Sequence, residues 1–122
     1  TLSNSSLLDH NSQLHVFSCE NILSDDWKPH KKNPVIFDPF FARNAGLIIE
    51  DNNFYRVYQK PGFNRYGESL GVAKIEELNE DNYKEQSKFE VLPNFLKDIE
   101  GTHTYNFSNG LLVLDFLKTS KK

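Results

Sequence analysis

The sequence has a single cysteine, Cys19, and no methionine. One cysteine cannot form a disulfide within the chain or supply a cysteine metal site, so we expect a reducing, cytoplasmic setting. Long apolar runs are also missing. A stretch such as Leu111 to Leu114 is far too short to cross a bilayer. We therefore expect no membrane segment and no signal peptide.

The chain also lacks a strong charge of either sign. Its 17 acidic and 14 basic residues are interspersed and give a formal net charge of -3. Such a weak field does not favour nucleic acid or a membrane surface as a partner. Catalytic signatures are missing too, since there is no Gly-x-Ser-x-Gly, no phosphate-binding glycine loop and no ligand spacing among the four histidines. We expect no metal and no cofactor.

Aromatic residues, by contrast, make up 13% of the chain, with ten Phe and five Tyr. This composition favours strands over helices. The runs AGLIIE and FYRVYQ flank Asp51-Asn52-Asn53, and the runs THTYNF and LLVLDF are joined through Ser108-Asn109-Gly110. Asp, Asn and Gly tolerate the left-handed backbone that tight turns need, so each pair of runs predicts an antiparallel hairpin.

Further strand-length runs are ESLGVAKIEEL, SKFEVL and, earlier in the chain, SQLHVFSCENI. A helix over IEELNEDNYKEQSKF is the competing interpretation. Its apolar residues form no continuous stripe, so we expect a strand end and an exposed connection with at most one helical turn. Four consecutive strands followed by a fresh hairpin fit a propeller blade, and a sandwich with meander connections fits the same spacing.

Several short motifs follow one another along the chain: WKPHKKNPV, ARNAG, FYRVYQ, RYG and GTHTYN. In order and spacing they resemble the propeller domain of glucosamine inositolphosphorylceramide transferase-type proteins and of related bacterial sugar-transfer or formyl-transfer proteins of surface polysaccharide synthesis. The resemblance covers roughly residues 14 to 115. Lys31 stands where that family usually has Pro. The run QKPGFNRYG replaces the family's usual Gln-Asp-Cys, so no role of that Asp or Cys is carried over.

The resemblance implies an all-β chain that forms two to three four-stranded antiparallel blades of a five-bladed β-propeller, as in the propeller hydrolases that act on arabinan and xylan. The expected single partial domain of residues 1–122 divides into the end of one blade (1–26), an interblade linker (27–44), one blade (45–93) and a hairpin of the next blade (102–117). Because the chain does not begin with Met and holds too few blades, we expect a fragment of a longer protein. Its unpaired edges would favour a homo-oligomer.

On this interpretation, the segment WKPHKKNPVIFDPFFARNAG is a rigid extended linker between blades. Pro34 and Pro39 fix their own backbone dihedral angle and restrict the residue before each of them. The aromatic residues of the segment would fill the gap between adjacent blades. These residues are Trp27, Phe37, Phe40 and Phe41.

The predicted ligand-binding residues are Arg43, Gln59, Tyr66 and His103. The guanidinium of Arg43 suits a carboxylate, a phosphate or a pair of sugar hydroxyls, while Gln59 and Tyr66 offer hydrogen bonds and stacking. His103 is included because a histidine in a similar place lines the channel of the hydrolase relatives. The alternative for Arg43 is an ion pair with Asp38 or Glu50, and for Gln59 and Tyr66 it is to fix a turn.

The predicted function is a non-catalytic module that recognises a sugar or a sugar-containing carrier, linked to a glycosyl- or formyl-transfer domain in surface glycan synthesis. Two alternatives stay open. One is a glycoside hydrolase-like enzyme, for which Asp38 and Glu68 are the catalytic candidates and further carboxylates lie in upstream blades. The other is a structural or interaction propeller without a ligand site.

Overall fold

The computed structural model describes residues 12–63 and 67–118, which form an all-β structure, as predicted. Every strand pairing in it is antiparallel. These residues include no helix, and therefore no helix that is long and apolar enough to cross a membrane. In chain order the strands are β1 (Gln13–Leu14), β2 (Phe17–Ser18), β3 (Lys28–Pro29), β4 (Ile36–Phe37), β5 (Asn44–Glu50), β6 (Asn53–Lys60), β7 (Ser69–Leu78), β8 (Tyr83–Val91), β9 (Ile99–Gly101), β10 (Tyr105–Ser108), β11 (Leu111–Leu114) and β12 (Leu117–Lys118).

Strands β5 to β8 form a four-stranded sheet in which each strand pairs with the next along the chain. The first hairpin of this sheet turns through Asp51 and Asn52, whose φ angles are 48° and 61°, and Glu50 pairs with Asn53 across the turn. Two left-handed residues in a two-residue loop match the twist of the flanking strands, which favours Asp and Asn there. The predicted hairpin is confirmed.

The hairpin of β7 and β8 differs from the sequence expectation. The residues expected to form an exposed connection instead begin strand β8 at Tyr83. Asn79 closes the turn, because its N–H donates to the carbonyl of Asn82 and its Oδ1 accepts from the N–H of Asn82. The strand starts early because Glu85 on β8 bonds to Arg56 on β6. The periodicity of a single segment does not reveal such a partner.

The hairpin of β10 and β11 turns through Asn109 and Gly110, with φ angles of 50° and 78°, as predicted for an Asn-Gly pair. This hairpin lies against β5. Gly46 lies at this contact with a φ of 155°, which residues with a side chain rarely adopt, and a Cβ there would stand at ordinary contact distance, 3.4 Å, from the carbonyl oxygen of Tyr105. Apolar side chains of the sheet and the hairpin pack together. They are the buried Ile48, Val57, Leu70 and Val72 and, packed around them, Tyr55, Val91, Tyr105 and Phe107.

The segment from residue 27 to 44 contains two short strands that pair with earlier residues, and its role as an interblade linker stays a prediction. Strand β3 pairs with β2 and strand β4 pairs with β1, so the segment folds back on residues 13–18. Asn33, which precedes a cis peptide bond to Pro34, holds this arrangement. Its Oδ1 accepts from the N–H of Val16 (2.9 Å), and its Nδ2 donates to the Val16 carbonyl (2.7 Å). The run SQLHVFSCENI accordingly forms two short strands instead of one.

The aromatic residues assigned to the gap between blades are exposed in this chain, from 36% for Phe41 to 71% for Phe37. Phe41 does reach the central sheet, where its ring lies 5.4 Å from that of Tyr58. Apart from the four-stranded sheet, the described strands form two-stranded pairs, and none of these sheets closes on itself. The division into blades therefore stays a prediction.

Candidate functional site

Predicted ligand-binding residues meet at the end of β6. The backbone N–H of Gln59 donates to the carbonyl oxygen of Arg43 (2.8 Å), and the side-chain Nε2 of Gln59 donates to the carbonyl oxygen of His103 (3.0 Å). Tyr66, the fourth predicted residue, lies outside the described residues. The fold thus joins Arg43 and His103, which are far apart in sequence, to the backbone and the side chain of Gln59. Their role in binding stays a prediction.

Asp115, which follows β11, fixes the GTHT motif in place. Its Oδ1 accepts from the N–H groups of His103 (2.7 Å) and Thr104 (2.8 Å), and its Oδ2 lies 3.4 Å from Nδ1 of His103. The hydroxyl of Thr102, which is fully buried, donates to the carbonyl oxygen of Asp115 (2.8 Å). One carboxylate therefore orients both the backbone and the ring of His103.

The electrostatics of the site keep its carboxylate ionised. Partial burial alone would raise the pKa of Asp115, but the two N–H donors and the nearby imidazole outweigh burial, so the pKa of this carboxyl is lowered. Burial lowers the pKa of Arg43. The guanidinium still stays charged, because its ordinary pKa is far above neutrality. Asp115 thus places an anion beside His103, and Arg43, which is joined to Gln59 through its backbone carbonyl, carries a cation.

The RYG and GTHT motifs meet at two glycines. Gly67 has a φ of 66°, and a Cβ on this residue would overlap the imidazole ring of His103. A Cβ on Gly101 would stand 2.6 Å from the carbonyl oxygen of Gly67. The contact between the two motifs therefore requires residues without a side chain at both positions. The ring of His103 lies directly on the backbone of Gly67.

Replacing Gly67 by Ala is expected to lower the free energy of unfolding by about 2 kcal/mol and to displace the ring of His103. Gly110→Ala is the matched control, because Gly110 also has a positive φ but a Cβ there meets nothing within 4 Å. It should show the backbone strain alone, about 1 kcal/mol. Urea unfolding gives both values, and the NMR signals of the histidine ring report the displacement. Equal losses of stability in the two variants, with unchanged histidine signals in Gly67→Ala, would contradict a contact between Gly67 and the ring of His103.

Gln59 carries a buried oxygen atom without a partner. Because Nε2 donates to the carbonyl of His103, Oε1 is the amide atom turned away from that carbonyl. Oε1 accepts no hydrogen bond from the residues that the structure describes. Leaving a buried acceptor unpaired costs about 1–3 kcal/mol. The atom is closed off from solvent, so a buried water molecule would satisfy it, or a donor that it meets after the side chain moves.

The two catalytic candidates lie in different loops. Asp38 fixes the turn after β4, since its Oδ1 accepts from the N–H of Phe40 (2.8 Å) and its carbonyl accepts from the N–H of Ala42 (2.8 Å). Glu68 is exposed, and its side chain lies over Gly62 in the connection between β6 and β7. A catalytic role for either carboxylate stays a prediction.

Within residues 12–63 and 67–118, no group of three or more His, Cys, Asp or Glu side chains is placed to hold a metal ion.

Sequence reasoning missed Asp115 and Arg56. Arg56 is only 4% exposed, bonds to Glu85 (Nε to Oε2, 2.7 Å) and donates to the carbonyl oxygen of Phe41 (2.8 Å). It thereby ties β6 to the turn that precedes Arg43. The signal for Arg56 is a lone charge within the apolar run FYRVYQ, which burial tolerates only beside a partner. Asp115 is exposed, and its residue type gives no such signal.

Comparison with known proteins agrees with part of the resemblance. The family described as "Glucosamine inositolphosphorylceramide transferase 1, N-terminal" matches residues 2–111. Glucosamine inositolphosphorylceramide transferase 1 of Arabidopsis thaliana is 41% identical over 78 residues, which cover 62% of this chain but only 10% of that protein. No solved structure matches the chain. Because the family match extends over most of the sequence, the chain belongs to the family of the N-terminal region of glucosamine inositolphosphorylceramide transferase 1.

Proposed function

We propose that the chain is a non-catalytic module that recognises a sugar or a sugar-containing carrier during glycan synthesis. The family and the relative both carry the name of a glucosamine inositolphosphorylceramide transferase, and the family describes the N-terminal region of such proteins. A linked glycosyl-transfer domain is therefore favoured over a formyl-transfer domain. That linked domain and a cytoplasmic location are parts of the proposal.

The observation that carries the proposal is that Arg43, Gln59 and His103, three of the predicted ligand-binding residues, meet at the end of β6. A sugar presents hydroxyl groups that can accept from a guanidinium and exchange hydrogen bonds with an imidazole. A phosphate of a sugar carrier would also suit Arg43, since charge-assisted hydrogen bonds are the stronger ones. Tyr66 is proposed to complete this site by stacking.

We further propose that the sheet of β5 to β8 is one blade of a five-bladed propeller, related to those of the bacterial transfer proteins and of the arabinan and xylan hydrolases. The consecutive order of its strands supports this, as does the β10–β11 hairpin beside β5, the strand that would lie innermost. Arg43 immediately precedes β5, and His103 precedes β10. Both residues would then lie at the same end of neighbouring inner strands.

Replacing Arg43 by Ala is expected to weaken ligand binding by about tenfold or more, because a charge-assisted hydrogen bond is lost. Stability should fall by no more than about 1 kcal/mol, since the carbonyl of residue 43 still accepts from Gln59. The measurement is calorimetric titration with glucosamine, a nucleoside diphosphate derivative of glucosamine and inositol phosphate. Thermal unfolding of the same samples reports stability.

Lys88→Ala is the control, because it removes an exposed cation from β8, on the far edge of the sheet. The proposal requires that this variant bind as the wild type does. Equal weakening in both variants would indicate a general effect of charge. A loss of stability in Arg43→Ala as large as the loss of binding would assign Arg43 a structural role. Hydrolysis of a glycan in the same samples would instead favour an enzyme.

A further inference from the structure

A small cavity lies between the central sheet and the β10–β11 hairpin, with a volume of about 220 Å³. Drug-sized sites measure about 300–1,000 Å³, so this cavity fits only a smaller ligand. Its wall includes the aliphatic Ile48 and Val72, one charged residue, Glu50, and four aromatic residues that we call the aromatic wall. The aromatic wall consists of Tyr55, Phe89, Tyr105 and Phe107.

The pleat of the strands brings these side chains to one face of the sheet. Side chains two residues apart on a strand point to the same face, as Ile48 and Glu50 do on β5. Tyr55 is the cross-strand partner of Ile48 and so shares that face. Tyr105 and Phe107 are also two residues apart, on β10, and they pack against the core cluster that includes Ile48. The cavity is thus the open space beside this cluster, at the end of β5 that leads into the first turn.

The aromatic wall is accessible, unlike the core beneath it. Phe89 is 49% exposed and the other three aromatic residues are partly exposed, whereas Ile48 and Val72 are buried. None of the four rings pairs with another ring among the described residues. The face of an aromatic ring is the negative part of its quadrupole and attracts a cation. Several rings around one small space are typical of sites that recognise a quaternary ammonium group.

The charges at the cavity also favour a cation. Glu50 is the only charged residue that lines it, and Glu50 forms no ion pair with any residue in the described part of the chain. Asp51, the next residue, adds a second negative charge at this end of the hairpin. On β7, Lys74 is the cross-strand partner of one residue of the aromatic wall. Lys74 lines a different pocket, however, together with Glu76 and Glu77, whose two negative charges offset its own.

We propose that this cavity binds a small organic cation that carries a quaternary ammonium group. The aromatic wall contacts the methyl groups of the cation, and the carboxylate of Glu50 is its counter-ion. A quaternary ammonium group has no N–H, so it leaves no donor unpaired when it lies against rings. Arg43, Gln59 and His103 do not line the cavity, so the proposal does not depend on the sugar-recognition function.

Calorimetric titration of the full chain with choline tests the proposal. Dimethylbutanol is the first ligand control, because a carbon replaces the charged nitrogen and the shape is kept. Ammonium chloride is the second, because it keeps the charge without the methyl groups. We expect choline to bind at least about tenfold more tightly than either control. Binding of dimethylbutanol as tight as that of choline would overturn the proposal, as would the absence of choline binding.

Replacing Phe89 by Leu tests the aromatic wall, because Leu keeps an apolar surface but has no ring face. We expect the affinity for choline to fall about fivefold and the affinity for dimethylbutanol to stay unchanged. Phe54→Leu is the matched control, because Phe54 is 48% exposed and precedes Tyr55 on β6, so it points to the opposite face of the sheet. Unchanged choline affinity in Phe89→Leu, or an equal loss in both variants, would overturn the proposal.

Replacing Glu50 by Gln tests the counter-ion. We expect choline to bind about fivefold more weakly at low salt, and the difference to shrink as salt screens the charge. Stability should change little, since Glu50 is exposed. Glu20→Gln is the control, because Glu20 is an exposed acid between β2 and β3 that does not line the cavity. Equal weakening in the two variants would indicate a general effect of net charge and would overturn the proposal.

Discussion

Replacing Glu85 by Gln is expected to lower the free energy of unfolding by about 3 kcal/mol, the largest effect of any charge substitution in the central sheet. The side chains of Arg56 and Glu85 are only 5% and 11% exposed. Their pairing is bidentate, with Nε donating to Oε2 (2.7 Å) and a terminal nitrogen donating to Oε1. The substitution removes the negative charge and leaves the guanidinium buried without a counter-ion. Urea unfolding at neutral pH measures the loss.

The surroundings of the pair explain why the protein cannot relax around the change. The hydroxyl of Tyr83 donates to Glu85, and the guanidinium of Arg56 lies 5.0 Å from the ring centroid of Tyr58. Burial would lower the pKa of Arg56, but the hydrogen bonds and charge of Glu85 outweigh burial and raise it. Burial and the hydrogen bond to Glu85 raise the pKa of Tyr83. Tyr83 therefore stays a neutral donor, and Glu85 is the counter-ion of the guanidinium.

Glu76→Gln is the matched control, because Glu76 on β7 pairs with Lys84 on β8 at 2.9 Å in the same sheet but is exposed to solvent. An exposed pair contributes at most about 1 kcal/mol. Replacing both members of the buried pair, Arg56→Met with Glu85→Leu, should cost less than Glu85→Gln alone, because no unpaired charge is left behind. Equal losses in Glu76→Gln and Glu85→Gln would show that burial does not strengthen the Arg56–Glu85 pair.

The sequence predicts the tight turns well because their chemistry is local. Asp51 and Asn52, and likewise Asn109 and Gly110, occupy the left-handed region in two-residue loops. These residue types adopt that backbone at little cost, whatever surrounds them. The strands beside each turn then pair in register, so both hairpins follow from short stretches of sequence.

Elements that depend on a distant partner could not be predicted in the same way. The segment after Trp27 folds back because Asn33 bonds to both backbone groups of Val16. Strand β8 begins early because Glu85 meets Arg56. In each case a polar residue that looks like part of a loop is held by a partner elsewhere in the chain. Periodicity within a short window carries no information about such a partner.

The candidate site shows the same division. Motifs and resemblance predict Arg43, Gln59 and His103 as ligand-binding residues, and two hydrogen bonds of Gln59 join the three in the fold. Asp115 was not selected, although its carboxylate fixes the backbone and ring of His103. Its role depends on a strand pairing that places the end of LLVLDF beside GTHT. By residue type alone, Asp115 cannot be told from a surface charge.

Replacing Gly71 by Ala is expected to lower the free energy of unfolding by about 3 kcal/mol. Gly71 pairs with Tyr58 across β6 and β7, and a Cβ on Gly71 would overlap the tyrosine ring. Tyr58 is 1% exposed, its hydroxyl bonds to Ser87 (3.1 Å) and its ring centroid lies 5.4 Å from that of Phe41. The ring has no room to move, so the backbone of β7 must shift. Urea unfolding measures the cost.

Gly62→Ala and a double-mutant cycle test whether overlap with the ring of Tyr58 causes the loss of stability in Gly71→Ala. A Cβ on Gly62 would overlap the side chain of Glu68, but Glu68 is exposed and can rotate away, so that variant should lose less than about 1 kcal/mol. Tyr58→Leu creates its own loss by removing ring volume, and in that background Gly71→Ala should cost much less than in the wild type. Unchanged cost in both backgrounds would mean that the ring does not restrict residue 71. A strong coupling would show that the glycine is required by the same tyrosine that Arg56 contacts, so one buried cluster would limit substitution at residues of both β6 and β7 on the same face of the sheet.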